Sequence, residues 1–369
     1  MLYASETNEM TTEFMSHILS TGNHGLFTKL PRDIVISEDA ILQMPTICAD
    51  VHPGRRVLLI TGEKTGRVAG ELVYQRLKEA NSYTISIFCA SSLSPQTIEA
   101  AKEAAHDVDY LIAIGGGRVI DTAKIVSFRA EKPFISVPTA ASHDGIVSNR
   151  ATLPTDTGSV SIQAAPPIAV IADTTIIAEA PHRLLASGCA DIISNYTAIL
   201  DWEFANRLRG EEISEYAIAL SKMTAETLVK QSPLIKPKCP DAARIVVEAL
   251  VFSGIAMSIA GSSRPASGGE HKFGHALEKI APGKALHGEA CGIGSIMTMY
   301  LHNGDWRSIR ESLQKIGAPT TPQEIGVSDE QIACALLEAK TIRPERYTIL
   351  DTHLTRESAQ RLVSILYHE

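Results

Sequence analysis

Four side chains in the second half of this 369-residue chain are of types that bind a catalytic metal. Asp191 lies in an otherwise apolar stretch, where a carboxylate needs either a cation or a helix-capping role. His271 and His275 are one turn apart and face the same way on a helix, and His287 follows beyond a Pro-Gly break. Asp, His and His ligands with one open position are common at catalytic zinc sites, although the spacing is not HExxH. Helix caps and surface histidines are the alternative interpretation.

Two polar turns in the first half are candidates for binding a dinucleotide. The glycines 115–117 follow an apolar run and open a helical pattern, so backbone N–H groups and the helix N-terminus could receive a pyrophosphate. The pattern is neither GxGxxG nor a P-loop, and a tight turn explains it equally well. In the second turn, Thr139 and Ser142 could bind phosphate or ribose hydroxyls and Asp144 a substrate hydroxyl, unless the segment is simply a solvated loop.

The elements that must position these residues change character along the chain. In the first half, strand-like runs alternate with helical patterns. The predicted strands are 57–61, 84–89, 110–114, 134–137 and 168–171. Beyond about residue 178 the patterns are helical, over 184–206, 214–231, 241–259, 270–280, 288–300, 306–316, 328–339 and 355–367. The sequence therefore predicts an α/β domain with a mostly parallel Rossmann-like sheet (1–178), followed by an all-α domain (179–369). The active site is expected in the cleft between the two domains.

Composition excludes several classes of protein. Apolar residues make up 44% and charged residues 21%, which is typical of a globular protein. The net charge is −8 without a basic block, which argues against nucleic-acid binding. Residues 1–23 contain acidic side chains and lack the basic and apolar regions of a signal peptide, so none is expected there. The longest apolar stretch, 249–261, is shorter than the roughly 20 residues of a membrane span. We expect a cytoplasmic protein without membrane insertion.

Five segments together resemble the sn-glycerol-1-phosphate dehydrogenases, within a wider group that contains glycerol dehydrogenase, iron-type alcohol dehydrogenases and dehydroquinate synthase. The segments are GGGRVIDTAK (115–124), PTAASHDGIVS (138–148), GCADIISN (188–195), SRPASGGEHKFGHALE (263–278) and HGEACG (287–292). The wider group shares the glycine turn and the Asp, His and His set. HDG after PTAAS, together with SRPASGGEH, is what indicates the glycerol-phosphate branch.

The resemblance implies NAD(P)H-dependent reduction of dihydroxyacetone phosphate to sn-glycerol 1-phosphate, for archaeal-type membrane glycerophospholipid synthesis. It implies one zinc per subunit on Asp191, His271 and His287, and substrate contacts from Asp144, His275, Asp191 and His271. It also implies a homo-oligomer. Dinucleotide contacts are implied at Gly117, Arg118, Val119, Ile120, Asp121, Thr139, Ala140, Ala141, Ser142 and Ser148. Residues 1–24 precede the usual start of the family and have no assigned role.

Some choices stay open. His275 or Asp144 could deliver the proton, and Lys272 and Arg264 are the cations nearest in sequence for the substrate phosphate. The segment 62–65 offers an acid and a cation to the cofactor ribose, so use of both NADH and NADPH is expected. The alternative functions are a glycerol or other polyol dehydrogenase and a lyase similar to dehydroquinate synthase.

Overall fold

The first half of the chain folds around a parallel sheet. The computed structural model describes residues 30–155, 158–352 and 354–368, so the expectation for residues 1–24 lies outside the described residues. The sheet strands are β1 (Asp33–Ser37), β2 (Arg56–Thr61), β3 (Thr84–Cys89), β4 (Tyr110–Gly115), β5 (Phe134–Pro138) and β8 (Ala169–Asp173). Their order is β1-β8-β5-β4-β2-β3, and every neighbouring pair is parallel. An antiparallel hairpin lies outside the sheet and consists of β6 (Arg150–Thr155) and β7 (Gly158–Gln163).

Helices cover both faces of this sheet. They are α1 (Met44–Val51), α2 (Glu71–Glu79), α3 (Pro95–Ala104) and α4 (Gly117–Ala130). On β4, Tyr110, Ile112 and Ile114 pack with α1 and α2, whereas Leu111 and Ala113 pack with α3 and α4. A strand that is buried on both faces consists of apolar residues throughout, which explains why these runs lack polar alternation. The core on the second face continues into the helical half.

From Thr174 onward the described chain is helical. The helices are α5 (Thr174–Ala178), α6 (His182–Ile193), α7 (Asn195–Arg209), α8 (Glu215–Gln231), α9 (Pro240–Ala260), α10 (Gly269–Ile280), α11 (His287–Leu301), α12 (Trp306–Ile316), α13 (Asp329–Glu338) and α14 (Arg356–Tyr367). The hydroxyl of Ser214 caps the start of α8 by accepting from the Ala217 N–H, and Gly210 ends α7 in a left-handed conformation. The predicted fold class is confirmed. The division into domains 1–178 and 179–369 stays a prediction.

Three features differ from the expectation. The sequence did not predict β1 or the β6–β7 hairpin, and the helix expected over 184–206 is interrupted at Ser194. The Ser194 hydroxyl donates to the Asp191 carbonyl (2.6 Å), and the Thr197 hydroxyl donates to the Ser194 carbonyl (3.0 Å). Such bonds compete with the helical ladder and account for the break.

Helix α9 is longer than the apolar stretch 249–261 that the sequence indicated as the longest. By length and composition it could cross a membrane, since it has 21 residues and includes the shorter stretch seen in the sequence. In the structure α9 packs against α8, α5 and α6, and Val246, Leu250 and Ala256 on it are fully buried. Its apolar character is that of a core helix.

Candidate active site

The two polar turns lie side by side at one edge of the sheet. Gly115, at the end of β4, is in register with Pro138, at the end of β5. The Thr139 N–H donates to the Gly115 carbonyl (3.1 Å) and ties the turns together. Helix α4 begins directly after the glycines, so its N-terminal N–H groups point to the same edge. This edge is where a parallel sheet of this kind binds its ligands.

A cleft of about 900 Å³ separates this edge from the helical half. Gly117, Arg118 and Asp121 line it from the sheet side. His271 and His287 line it from α10 and α11. The expected cleft is therefore present, and it brings together residues of both halves of the chain.

Four potential metal ligands cluster at the helical wall. Ligand atoms of Asp191, His271, His287 and Cys291 all lie within 4.8 Å of one another. Asp191 Oδ1 is 3.5 Å from His271 Nε2 and 3.7 Å from His287 Nε2. This oxygen is buried and accepts no hydrogen bond, which is unfavourable unless a cation lies beside it. The His287 side chain is 38% exposed and opens the cluster to the cleft.

Two close backbone approaches make this cluster possible. A Cβ at Gly188 of α6 would lie 2.2 Å from the Ala141 carbonyl oxygen, in the turn after β5. A Cβ at Gly288 of α11 would lie 1.9 Å from the Ser187 carbonyl oxygen. Only glycine permits these contacts. They seat α6 between the sheet edge and α11, which places Asp191 beside His287.

A buried glutamate orients His271. Glu270 Oε1 accepts from His271 Nδ1 (2.9 Å), and its other oxygen accepts from the Thr197 hydroxyl (2.9 Å). A carboxylate on Nδ1 requires the proton there and leaves Nε2 free as a ligand. In the sequence, Glu270 is visible only as the residue before His271. Its role becomes visible when the side chain is seen to turn back onto the ring.

Charge shifts follow from burial and from this clustering. Burial raises the pKa of Asp191, but contact with His271 and the charge of His287 outweigh it and lower that pKa to about 2. Burial and repulsion from Asp191 raise the pKa of Asp144 to about 7. Burial and the charges of His287 and His271 hold the pKa of His275 well below its usual value. The Asp144 N–H also donates to Asp191 Oδ2 (3.1 Å), so these groups form one site.

The expected cofactor residues divide into two sets. Gly117, Arg118, Asp121 and Ser148 line the cleft. The side chains of the others are buried or lie outside the lining, so a cofactor would reach them through their backbone; they are Val119, Ile120, Thr139, Ala140, Ala141 and Ser142. No observation tests the individual contacts, and they stay predictions.

The two cations suggested for the substrate phosphate are occupied elsewhere. Lys272 is buried, and its Nζ donates to both Asp351 oxygens (2.8 and 2.9 Å) and to a carbonyl. Arg264 is buried and forms a two-point pair with Glu211. Both charges are neutralised inside the helical half, so neither cation is available to a ligand. That suggestion is wrong.

Sequence analysis missed several residues of the cleft. His143 lies between the glycine turn and His287, with its ring centroid 6.4 Å from the His287 ring. It was visible within the HDG segment. Cys291 follows His287 by one turn, a spacing that could have placed it on the same helical face. Arg150 and Arg343 also line the cleft. Arg150 lies two residues beyond the PTAASHDGIVS segment, whereas Arg343 is far from every motif in sequence.

The fold is the one found in glycerol dehydrogenase and in iron-containing alcohol dehydrogenases. Residues 35–181 match the family model described as iron-containing alcohol dehydrogenase. The crystal structure of glycerol dehydrogenase from Schizosaccharomyces pombe superimposes with a TM-score of 0.78 at 18% identity, covering 92% of this chain and 90% of that one. At this identity the likeness shows a shared fold.

Sequence relatives define the particular family. The chain is 67% identical to the glycerol-1-phosphate dehydrogenase, NAD(P)+, of Methanospirillum hungatei, covering 94% of this chain and 96% of the relative. It is 63% identical to the protein of the same name from Methanosphaerula palustris, covering 92% and 94%. The chain belongs to the glycerol-1-phosphate dehydrogenase family and is an oxidoreductase.

Proposed function

We propose that this protein catalyses the NAD(P)H-dependent reduction of dihydroxyacetone phosphate to sn-glycerol 1-phosphate. The observation that carries the proposal is the 67% identity to a relative of that name over nearly the whole chain. The cleft supports it, because dinucleotide-binding turns and a cluster of potential metal ligands face the same space. The product would enter archaeal-type membrane glycerophospholipid synthesis in the cytoplasm.

Asp191, His271 and His287 would hold a zinc ion. Two imidazole nitrogens and one carboxylate are a common donor set for catalytic zinc, and the unpartnered Asp191 oxygen fits a cation. Zinc, when bound, supplies a Lewis acid that polarises the substrate carbonyl. Glu270 keeps His271 Nε2 directed at the metal position.

Asp144 and His275 are the residues that can hold or move the proton needed by the product alcohol. Both line the cleft beside the ligand cluster. Asp144 is fixed by its N–H bond to Asp191 and by the Ser253 hydroxyl, which donates to Asp144 Oδ2 (3.3 Å). The His275 ring centroid lies 5.7 Å from that of His287. A proton on either group can reach the substrate oxygen directly or through water.

The cofactor would extend along the carboxyl edge of the sheet. The turn at Gly116 and the N-terminus of α4 suit a pyrophosphate. At the end of β2 a groove of about 400 Å³ contains Glu63 and Arg67, which pair at 3.3 Å. The acid suits a ribose diol and the cation suits a 2′-phosphate, which is consistent with use of both NADH and NADPH.

Substrate comparison tests the function. Oxidation of NADH should be rapid with dihydroxyacetone phosphate and slow with dihydroxyacetone, and an enantiospecific assay should find the sn-1 product. Preference for dihydroxyacetone would favour a glycerol or polyol dehydrogenase. Turnover of the dehydroquinate synthase substrate without net oxidation of NADH would favour the lyase, and either result would overturn the proposal.

A further inference from the structure

One wall of the cleft contains an arginine that forms no ion pair. Arg343 lines the cleft in a half-buried position between α13 and α14. Its Nη1 donates to the Ser263 hydroxyl oxygen (3.3 Å), which also accepts from Arg346 Nη2 (3.0 Å). Among the described residues, no carboxylate lies within ion-pairing distance of the Arg343 guanidinium. Its charge is therefore directed at the cleft with only a hydroxyl as partner.

Positive charge accumulates around this position. Arg150 lines the same cleft, and its charge, together with burial, lowers the pKa of Arg343. Burial and the charges of Arg343 and Arg264 lower the pKa of Arg346 to about 9. The neighbouring carboxylates Asp351 and Glu211 are paired with Lys272 and Arg264, and the charge of Glu345 only partly offsets the lowering of the Arg343 and Arg346 pKa values. An anion in the cleft would relieve this repulsion.

The backbone at Arg343 is strained. Its φ of 46° lies in the left-handed region, which side chains other than glycine and asparagine rarely adopt. The residue directly follows the turn that ends at Ile342. Strained conformations persist where surrounding structure holds them, and they are frequent at ligand-binding positions. At Arg343 this backbone conformation accompanies a side chain whose guanidinium lines the cleft.

We propose that Arg343, with Arg150 and the Ser263 hydroxyl, forms the subsite for the phosphate group of the substrate. The proposal rests on the proposed function, since it names the residues that would select a phosphorylated ketone over dihydroxyacetone. A planar guanidinium binds a phosphate dianion through two parallel N–H bonds, and a hydroxyl adds a third donor. Arg343 lines the same cleft as His275 and Asp144. The subsite therefore adjoins the residues assigned to the carbonyl.

A phosphate monoester could also come from the 2′-phosphate of NADPH. The groove at the end of β2, where the cofactor ribose is expected, is lined by Thr61, Glu63 and Arg67. Arg343 is not part of that groove. It belongs to the cleft that contains His271 and His287. The substrate phosphate is therefore the ligand that fits Arg343.

The test uses Arg343→Gln, which keeps a polar side chain and removes the charge, and Arg343→Lys, which keeps the charge and removes the planar fork. Arg356→Gln is the matched control, because Arg356 is an exposed arginine whose partner Glu330 lies outside the cleft. KM for dihydroxyacetone phosphate and KM for the cofactor are both measured, with NADH and with NADPH, and binding of inorganic phosphate is measured by calorimetry. For Arg343→Gln we expect KM to rise about 10- to 100-fold with either cofactor and phosphate binding to be lost. Arg343→Lys should recover part of both, and zinc content should not change.

Several outcomes are decisive. Unchanged KM and phosphate binding in a folded Arg343→Gln protein would overturn the subsite. A rise in KM for NADPH alone would assign the arginine to the 2′-phosphate and overturn it equally. A thermal melt far below that of Arg343→Lys would indicate a structural role. If the wild type fails to reduce dihydroxyacetone phosphate but binds inorganic phosphate through Arg343, the proposed function fails and the anion site stands.

Discussion

At the scale of single residues, Glu270 decides how well His271 can serve as a ligand. Its Oε1 accepts from His271 Nδ1, and the side chain is fully buried. Glu270→Gln removes the negative charge that holds the His271 imidazole in its orientation and makes that ring more basic. We expect zinc affinity to fall about 10- to 100-fold while the fold is kept. Metal titration with a competing chelator measures this.

Thr197→Val is the matched control for that change. It removes the hydroxyl contacts to the other Glu270 oxygen and to the Ser194 carbonyl but leaves the bond between Glu270 and His271 in place. Zinc affinity should change much less than in Glu270→Gln. Equal losses in the two variants would show that general loosening of the site, rather than orientation of the ring, is responsible.

At the scale of elements, the turn between β4 and α4 can be tested at Gly116. Its φ of −82° and ψ of −172° suit any residue, and a Cβ there would meet no atom within 4 Å. Gly116→Val should therefore cost the apoprotein no more than about 1 kcal/mol of unfolding free energy, mainly from weaker helix capping. The side chain would occupy the space expected for the pyrophosphate, so KM for NADH should rise at least about 10-fold.

Gly117 cannot make this distinction, because a Cβ there would lie 2.2 Å from His143 Nε2 and disturb the cleft directly. The turn could bind the pyrophosphate or serve only as a tight turn. These two roles are distinguished by measuring the melting temperature, the zinc content and the KM for NADH of Gly116→Val. Normal cofactor affinity with a large loss of stability would show that the glycine serves the turn alone.

The start of β2 gives a prediction about acid stability. Asp109, just before β4, accepts from the Arg56 side chain (2.6 and 3.1 Å) and from two backbone N–H groups, which hold its pKa well below the usual range. A carboxyl group whose pKa is lower in the folded than in the unfolded protein stabilises the fold at pH values above its unfolded pKa of about 3.9. This stabilisation is lost as the pH falls from about 3.9 toward the pKa of the folded protein.

Asp109→Asn should therefore lower stability at pH 7 by about 1 kcal/mol, since solvent screens the partly exposed pair. The difference from wild type should shrink below about pH 4. Thermal melts across pH 3–7 measure the difference. A gap that stays constant with pH would show that the carboxylate charge is not responsible.

At the scale of the whole molecule, zinc would join the consecutive helices α10 and α11 to α6, which lies far from them in sequence. Asp191 is on α6, His271 on α10 and His287 on α11. An ion that binds only the folded state stabilises it by about 2.7 kcal/mol at 100 times its Kd. We expect zinc to raise the melting temperature of the apoprotein by several degrees, and a chelator to reverse the shift.

Asp191→Asn is the control for that shift. A neutral amide is a poorer ligand for a dication, so most of the zinc-dependent stabilisation should vanish. If the carboxylate served only to accept the Asp144 N–H, Asn would serve nearly as well and the shift would be kept.

The amino-acid sequence by itself determined the order of strands and helices, because buried parallel strands are apolar runs and helices repeat their apolar residues every turn. It also indicated Asp191, His271 and His287, since few residue types can bind zinc. It could not show β1, whose partner Ala169–Asp173 lies more than a hundred residues away, or the kink at Ser194.

Only the tertiary structure decided which charges face the cleft. Lys272 and Arg264 lie close to the histidine motif in sequence, yet carboxylates from distant segments neutralise both. Arg343, more than fifty residues after His287, lines the cleft instead. Residue type shows that a side chain can be charged, whereas its partners and exposure depend on segments that meet only when the chain folds.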